Sequence, residues 1–155
     1  MTLQFVRRSF ASVCAALVVA ACTSSNNNNT GPSGPTAAEL AGSYNLVTFT
    51  FPTCPSALGP NTSPAATGTL TLAAGSGGAP NTYDSQIAIP AAQGSCPTSF
   101  NDVGTFTVSN GVWNQTSTTQ GGQQFQGTVA LTAGGQLTIN LNTAIGSVAT
   151  VWQRQ

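Results

Sequence analysis

The sequence predicts an all-β fold, an eight-stranded antiparallel up-and-down β-barrel that follows a signal peptide and a disordered tether. Three observations predict it. Eight short runs between residues 44 and 152 alternate apolar side chains with Thr, Asn or Gln, as strands with a single buried face do. Clusters of Gly, Pro and Asn separate those runs and supply the reversals. Residues 38–155 suffice for one hydrophobic core but not for two. Closing a meander at eight strands removes its free edges and leaves an interior that side chains fill or a small ligand shares.

In order along the chain, a helical turn is expected over 37–41, with Glu39 near its positive start. The first strand, 44–51, is rich in aromatic and β-branched residues. Its apolar phase slips from Tyr44 and Leu46 to Val47, Phe49 and Phe51, which predicts a bulge or bend at Leu46-Val47. Further strands are read at 68–72 and 83–89, the latter ended by Pro90, and a fourth at 104–108. Ser109-Asn110-Gly111-Val112 is the strongest local signal, because Asn-Gly accepts the positive φ angles of a type I′ turn. Strand five, 112–119, must therefore fold back on strand four. Gly121-Gly122, Ala133-Gly134-Gly135 and residues 142–147 then turn the chain into strands at 125–131, 137–141 and 148–152. Loops are read at 52–67, 74–82 and 90–102.

A transmembrane barrel fits poorly, since its strands need about 9–11 residues and an apolar outer face. Charged residues make up only 4% of the chain. Beyond residue 21 the charged residues are Glu39, Asp84, Asp102 and Arg154. No basic patch exists to neutralise phosphates, so nucleic acid is excluded as a partner. Solubility falls to Thr, Ser, Asn, Gln and Gly.

Residues 1–21 have the parts of an export signal: Arg7 and Arg8, an apolar run over about 10–19, then Ala20-Ala21. That run is too short to span a bilayer, which takes ~20 residues. Val19-Ala20-Ala21-Cys22 resembles the bacterial lipobox, and the resemblance implies cleavage before Cys22 and its lipidation. Arg7-Arg8-Ser9-Phe10 also resembles the core of a twin-arginine signal, with Val6 and Ala11 departing from its flanks; Sec export is the reading adopted. With Thr23 rather than Asp after the lipidated position, the resemblance implies a lipid anchor in the outer membrane of the cell envelope. Residues 22–37 are then the lipidated Cys and a flexible linker, low in complexity, spanning about 20 Å as a coil.

Of the four cysteines, Cys14 lies in the signal and Cys22 takes the lipid. Cys54 and Cys96 remain, an even pair in an oxidising compartment, and are expected to form a disulfide. Such a bridge would join the loops 52–67 and 90–102.

Gly42-Ser43-Tyr44 resembles the G-x-W opening of lipocalin-like domains, with Tyr in place of Trp. Trp152-Gln153-Arg154 resembles their closing strand, in which a late Arg packs across an aromatic ring at the barrel base. Avidin-like barrels share the same opening and meander. The resemblance implies that Tyr44 and Arg154 close the barrel through a cation–π contact. An exposed terminal Arg beside an ordinary core Tyr is the alternative.

Lipocalin-like character further implies a small hydrophobic ligand. The candidate lining residues are Phe51, Leu70, Leu72, Tyr83, Ile87, Phe106, Phe125, Val129 and Ile139; ordinary core packing is the alternative for each. The alternative function is a non-enzymatic structural or interaction protein of the cell envelope, with the long loops as contact surfaces. No catalytic residues, metal site or cofactor are expected. The chain contains no His, and Asp84 and Asp102 are read as solvated or loop-bonded side chains. Asn61-Thr62-Ser63 and Asn114-Gln115-Thr116 match a glycosylation sequon by accident if the lipobox is bacterial.

Overall fold

Thr36 caps a single helical turn, the first element of the described chain. Its hydroxyl accepts from the Glu39 amide at 3.3 Å while its own amide donates to the Glu39 carboxylate at 2.7 Å. This reciprocal box satisfies two donors at the start of α1 (Ala37–Leu40). The Thr36 backbone amide, and then the Thr36 hydroxyl, hold the Glu39 carboxyl below its usual range. A computed structural model describes residues 34–54, 56–92 and 94–155. The expected signal peptide over 1–21, the expected lipidation at Cys22 and the expected tether up to residue 33 lie outside the described residues.

The chain then forms β1 (Gly42–Thr50), β2 (Thr67–Ala73), β3 (Asn81–Ala88), β4 (Ser99–Ser109), β5 (Val112–Ser117), β6 (Gln123–Leu131), β7 (Gln136–Thr143) and β8 (Gly146–Arg154). Each strand pairs antiparallel with its neighbour in sequence, and β8 pairs with β1, so the meander is a closed eight-stranded barrel. The alternation read from the sequence sorts the side chains. Tyr44, Leu46, Leu70, Leu72, Phe106, Trp113, Leu137 and Trp152 are buried, whereas Thr69, Thr71, Asp84, Asn101, Thr107 and Thr128 are exposed. Burying side chains of this size stabilises by about 1.5–3 kcal/mol each. On the outside, Gln126 donates to Asn114 at 2.9 Å and Asn140 to Thr128 at 3.3 Å. Amides and hydroxyls thus clothe the exterior in place of charges.

The bulge falls where the phase slips. Leu46 pairs with Trp152 and Thr48 with Val151, leaving Val47 as the extra, exposed residue. One unpaired residue returns Phe49 to the interior. At the β4–β5 reversal Asn110 and Gly111 have φ of 51° and 75°, the two positive angles expected there.

β4 differs from its expected extent. It begins at Ser99, eleven residues long, and takes in residues that the sequence assigns to a loop over 90–102. Asn and Asp disfavour strands, and Asn101-Asp102 hides the continuation. The alternation nevertheless runs on through Phe100, Asp102, Gly104 and Phe106. Asp102 is therefore an interior residue, 2% exposed, and not the solvated side chain expected of it. Strand five also stops earlier, at Ser117 and not at residue 119.

The two ends of the barrel are unlike. At one end lie α1, the short turn at Asn110-Gly111 and the reversals between β2 and β3 and between β6 and β7. The other end carries the long β1–β2 and β3–β4 connections. The expected disulfide between Cys54 and Cys96 joins these two, and Thr53 donates to the Ser95 carbonyl across them at 2.7 Å. Phe49 and Leu58 exchange backbone hydrogen bonds of 2.7 Å each way, folding the first connection back onto the barrel.

Candidate functional site

The end carrying α1 is shut. Tyr44, fully buried, donates its hydroxyl to the Leu40 carbonyl at 2.6 Å. The guanidinium carbon of Arg154 lies 5.3 Å from the centre of the Tyr44 ring. Arg154 Nη2 donates to the Tyr44 oxygen at 2.7 Å and also to the Glu39 carbonyl. One arginine at the end of β8 thus ties β1 to the carbonyls that end the helical turn.

At the opposite end the barrel opens into a cup of about 190 Å³. Its apolar walls come from Phe51 beyond β1, Phe100 on β4, Phe125 on β6, Leu141 on β7, Ile145 in the β7–β8 turn and Val148 on β8. Phe49, Phe51 and Phe100 form one aromatic wall, with centroids 5.8–6.0 Å apart. The disulfide joins the loops that lead out of and into this wall, Cys54 following Phe51 and Cys96 preceding Phe100. Ile145, at 59% exposed, stands at the rim in the β7–β8 turn. Gln120 and Gln123 complete the rim, and Asp102 and Gln115 reach the cup from below.

Beneath the cup lies a chamber of about 40 Å³. Phe100, Asp102, Gln115, Leu141 and Val148 line both spaces, so the chamber adjoins the cup. Asp102 anchors a buried polar network here. Tyr83 donates its hydroxyl to Asp102 Oδ2 at 2.9 Å, Gln115 Nε2 donates to the same oxygen at 3.1 Å, and Ser117 donates to Oδ1. Gln115 Oε1 accepts in turn from the Trp113 indole at 2.9 Å. Three donors converge on one carboxyl group, which can accept on both oxygens. Burial, and then the Asp102 hydrogen bond and charge, push the Tyr83 hydroxyl well above the ordinary tyrosine range; the bonds with Ser117 and Gln115 act the other way.

Trp152 also lines the chamber, 1% exposed. Its Nε1 has no hydrogen-bond partner, alone among the buried side-chain nitrogens and oxygens of the described residues. Such an orphan donor costs about 1–3 kcal/mol.

The nine candidate lining residues divide three ways. Phe51 and Phe125 line the cup, while Leu70, Tyr83, Ile87 and Ile139 line the chamber. Leu72, Phe106 and Val129 line neither space and are buried in the core, Phe106 stacked on Trp113 at 4.4 Å. The sequence reading passes over Phe100, Leu141, Val148, Ile145, Asp102 and Gln115. For the first three and the two polar residues, the signal is parity with neighbouring inward residues on their strands. Ile145 has no such signal, because it sits in a turn.

Among the described residues, no three His, Cys, Asp or Glu side chains come together as a metal site would require. No protein-family model and no curated protein sequence matches the chain. A solved structure of a redesigned β-barrel is similar to it, with 19% identity and a TM-score of 0.46, covering 79% of this chain and 96% of that one.

Proposed function

We propose that this protein is a lipid-anchored lipoprotein of the cell envelope whose lipocalin-like barrel holds a small hydrophobic molecule in its open end. The cup carries the reading: a concave, mostly apolar space with a few convergent polar groups at its floor is the usual form of a small-molecule site. At about 190 Å³ it is smaller than the roughly 300–1,000 Å³ of sites for drug-sized ligands, and so suits an occupant about one ring in size. An apolar space of about 150 Å³ is enough to hold benzene. The anchor, through Cys22, would place the barrel at the outer membrane.

Native mass spectrometry of protein purified from its own cells tests the carrier role. A recurrent bound mass that is lost on Phe125→Trp, which fills the cup, is the expected result; repeatedly empty protein would overturn it. Labelling cells with a fatty-acid analogue tests the anchor, with label expected on the wild type and absent from Cys22→Ala.

A second reading, a non-enzymatic structural or interaction protein of the envelope, is favoured by one observation. The barrel's closed half is filled by Trp113, Phe106, Leu72, Leu137 and Val129, all buried. Recurrent crosslinking to one partner in intact cells, together with an empty cup, would select it.

A further inference from the structure

We propose that the cup selects its occupant by charge, so that the preferred ligand is an organic monocation about one ring in size, such as a primary amine on an apolar body, and carboxylates are refused. This rests on the carrier reading and narrows it to a ligand class. Two observations carry it. The cup's walls hold one charged group, Asp102, and no base. The hydrogen bonds around that group favour its carboxylate form and leave the charge unbalanced.

Each polar neighbour of Asp102 has a proton to give it. Gln115 Nε2 lies 3.1 Å from Oδ2 and can only donate. The Tyr83 hydroxyl accepts from the same Nε2 at 3.2 Å, and the Ser117 hydroxyl accepts from the Gln120 amide at 3.0 Å. Both hydroxyls therefore turn their own protons toward the carboxyl group. Donors of this kind stabilise the ionised form, yet all three are neutral and none cancels its charge. The other charged side chains of the described residues stand elsewhere: Glu39 and Arg154 lie at the closed end, and Asp84 is exposed on the outer face.

A cation in the cup gains from this field without touching the carboxylate. Opposite unit charges about 10 Å apart, at an effective dielectric constant of about 20, attract by more than the ~1.4 kcal/mol that makes a tenfold difference in affinity. Asp102 lines the cup, so a charge seated there is closer than that. An anion of the same shape is repelled to a similar extent, and a neutral molecule is indifferent. Phe51, Phe100, Phe125 and Leu141 remove the apolar body from water whatever the charge. Because the cup is open at its rim, an ammonium group need not shed all its water to enter.

The test compares benzylammonium, benzyl alcohol and benzoate, three probes of one ring and nearly one shape. Each is titrated against the purified protein at low salt and followed by the amide signals of Phe51, Phe125 and Ile145 in nitrogen-15 NMR. Benzylammonium is expected to bind about tenfold more tightly than benzyl alcohol, and benzoate about tenfold more weakly. Asp102→Asn, which removes the charge and keeps the shape, is expected to bring the three within about threefold of one another. Asp84→Asn removes an exposed charge and is expected to leave the order unchanged, which separates the cup's own field from the net charge of the molecule. Equal binding of the three by the wild type, or tightest binding of benzoate, would overturn the charge selection and leave the cup in place. So would an order that survives in folded Asp102→Asn or disappears in Asp84→Asn. Binding of none of the three would remove the carrier reading along with it. Should Asp102→Asn fail to fold, the wild type and Asp84→Asn decide the matter.

Discussion

The hydroxyl of Tyr83 on β3 and the carboxylate of Asp102 on β4 meet at 2.9 Å inside the barrel, each no more than 5% exposed. An apolar pair at these positions would fill the same space without a hydrogen bond to satisfy. Replacing Asp102 alone is therefore more harmful than replacing the whole group. Asp102→Leu leaves the donors of Tyr83, Gln115 and Ser117 facing a hydrocarbon and is expected to cost about 2–4 kcal/mol of stability in urea unfolding. Combining it with Tyr83→Phe, Gln115→Leu and Ser117→Ala is expected to recover most of that loss. No recovery would mean that the network contributes more than mutual satisfaction.

The same pair sets an alkaline limit. The folded protein holds the Tyr83 proton more tightly than the unfolded chain, whose tyrosines titrate near 10.0. Its contribution to stability is therefore complete below about pH 10 and declines as the pH rises beyond that value. Urea midpoints between pH 8 and 11 check this, with Tyr83→Phe expected to flatten the decline.

At the shut end, Arg154→Ala removes the cation over the Tyr44 ring and the bonds to the Tyr44 oxygen and the Glu39 carbonyl. A loss of about 1–2 kcal/mol is expected. Arg154→Lys keeps the charge but cannot present the planar fork, so it should recover less than half of that loss. Thermal unfolding of the three proteins side by side measures the difference.

The cysteine bridge closes a loop with a sequence separation of 42. On the chain-entropy account its removal costs about 4 kcal/mol. Cys54→Ser with Cys96→Ser is expected to approach that figure, and to shift the amide signals of Phe51 and Phe100 more than those of Tyr44 and Trp152. Equal shifts at both ends would show that the bridge does not specifically brace the cup.

Much of this architecture can be read from the residues because it rests on local signals. The Asn110-Gly111 reversal, the phase slip at Val47 and the alternation in β2, β6 and β7 each carry their own geometry in two to seven residues. The cup's polar floor cannot be read that way. Asp102 lies in a segment of poor strand formers, and its partners sit 13 to 19 residues away in the chain, on two other strands. Only closure of the barrel brings them together. The orphan state of the Trp152 indole is harder still to foresee, since it depends on what every neighbouring strand leaves unfilled.

Gly34 lies tight against the turn at Asn110-Gly111; a single added carbon there would fall 2.1 Å from the Gly111 nitrogen. Residue 34 thus sits at the floor of the vessel, at the end away from the cup. Under the proposed lipid anchor, the attachment would therefore enter the barrel at its base, on the side away from the brim.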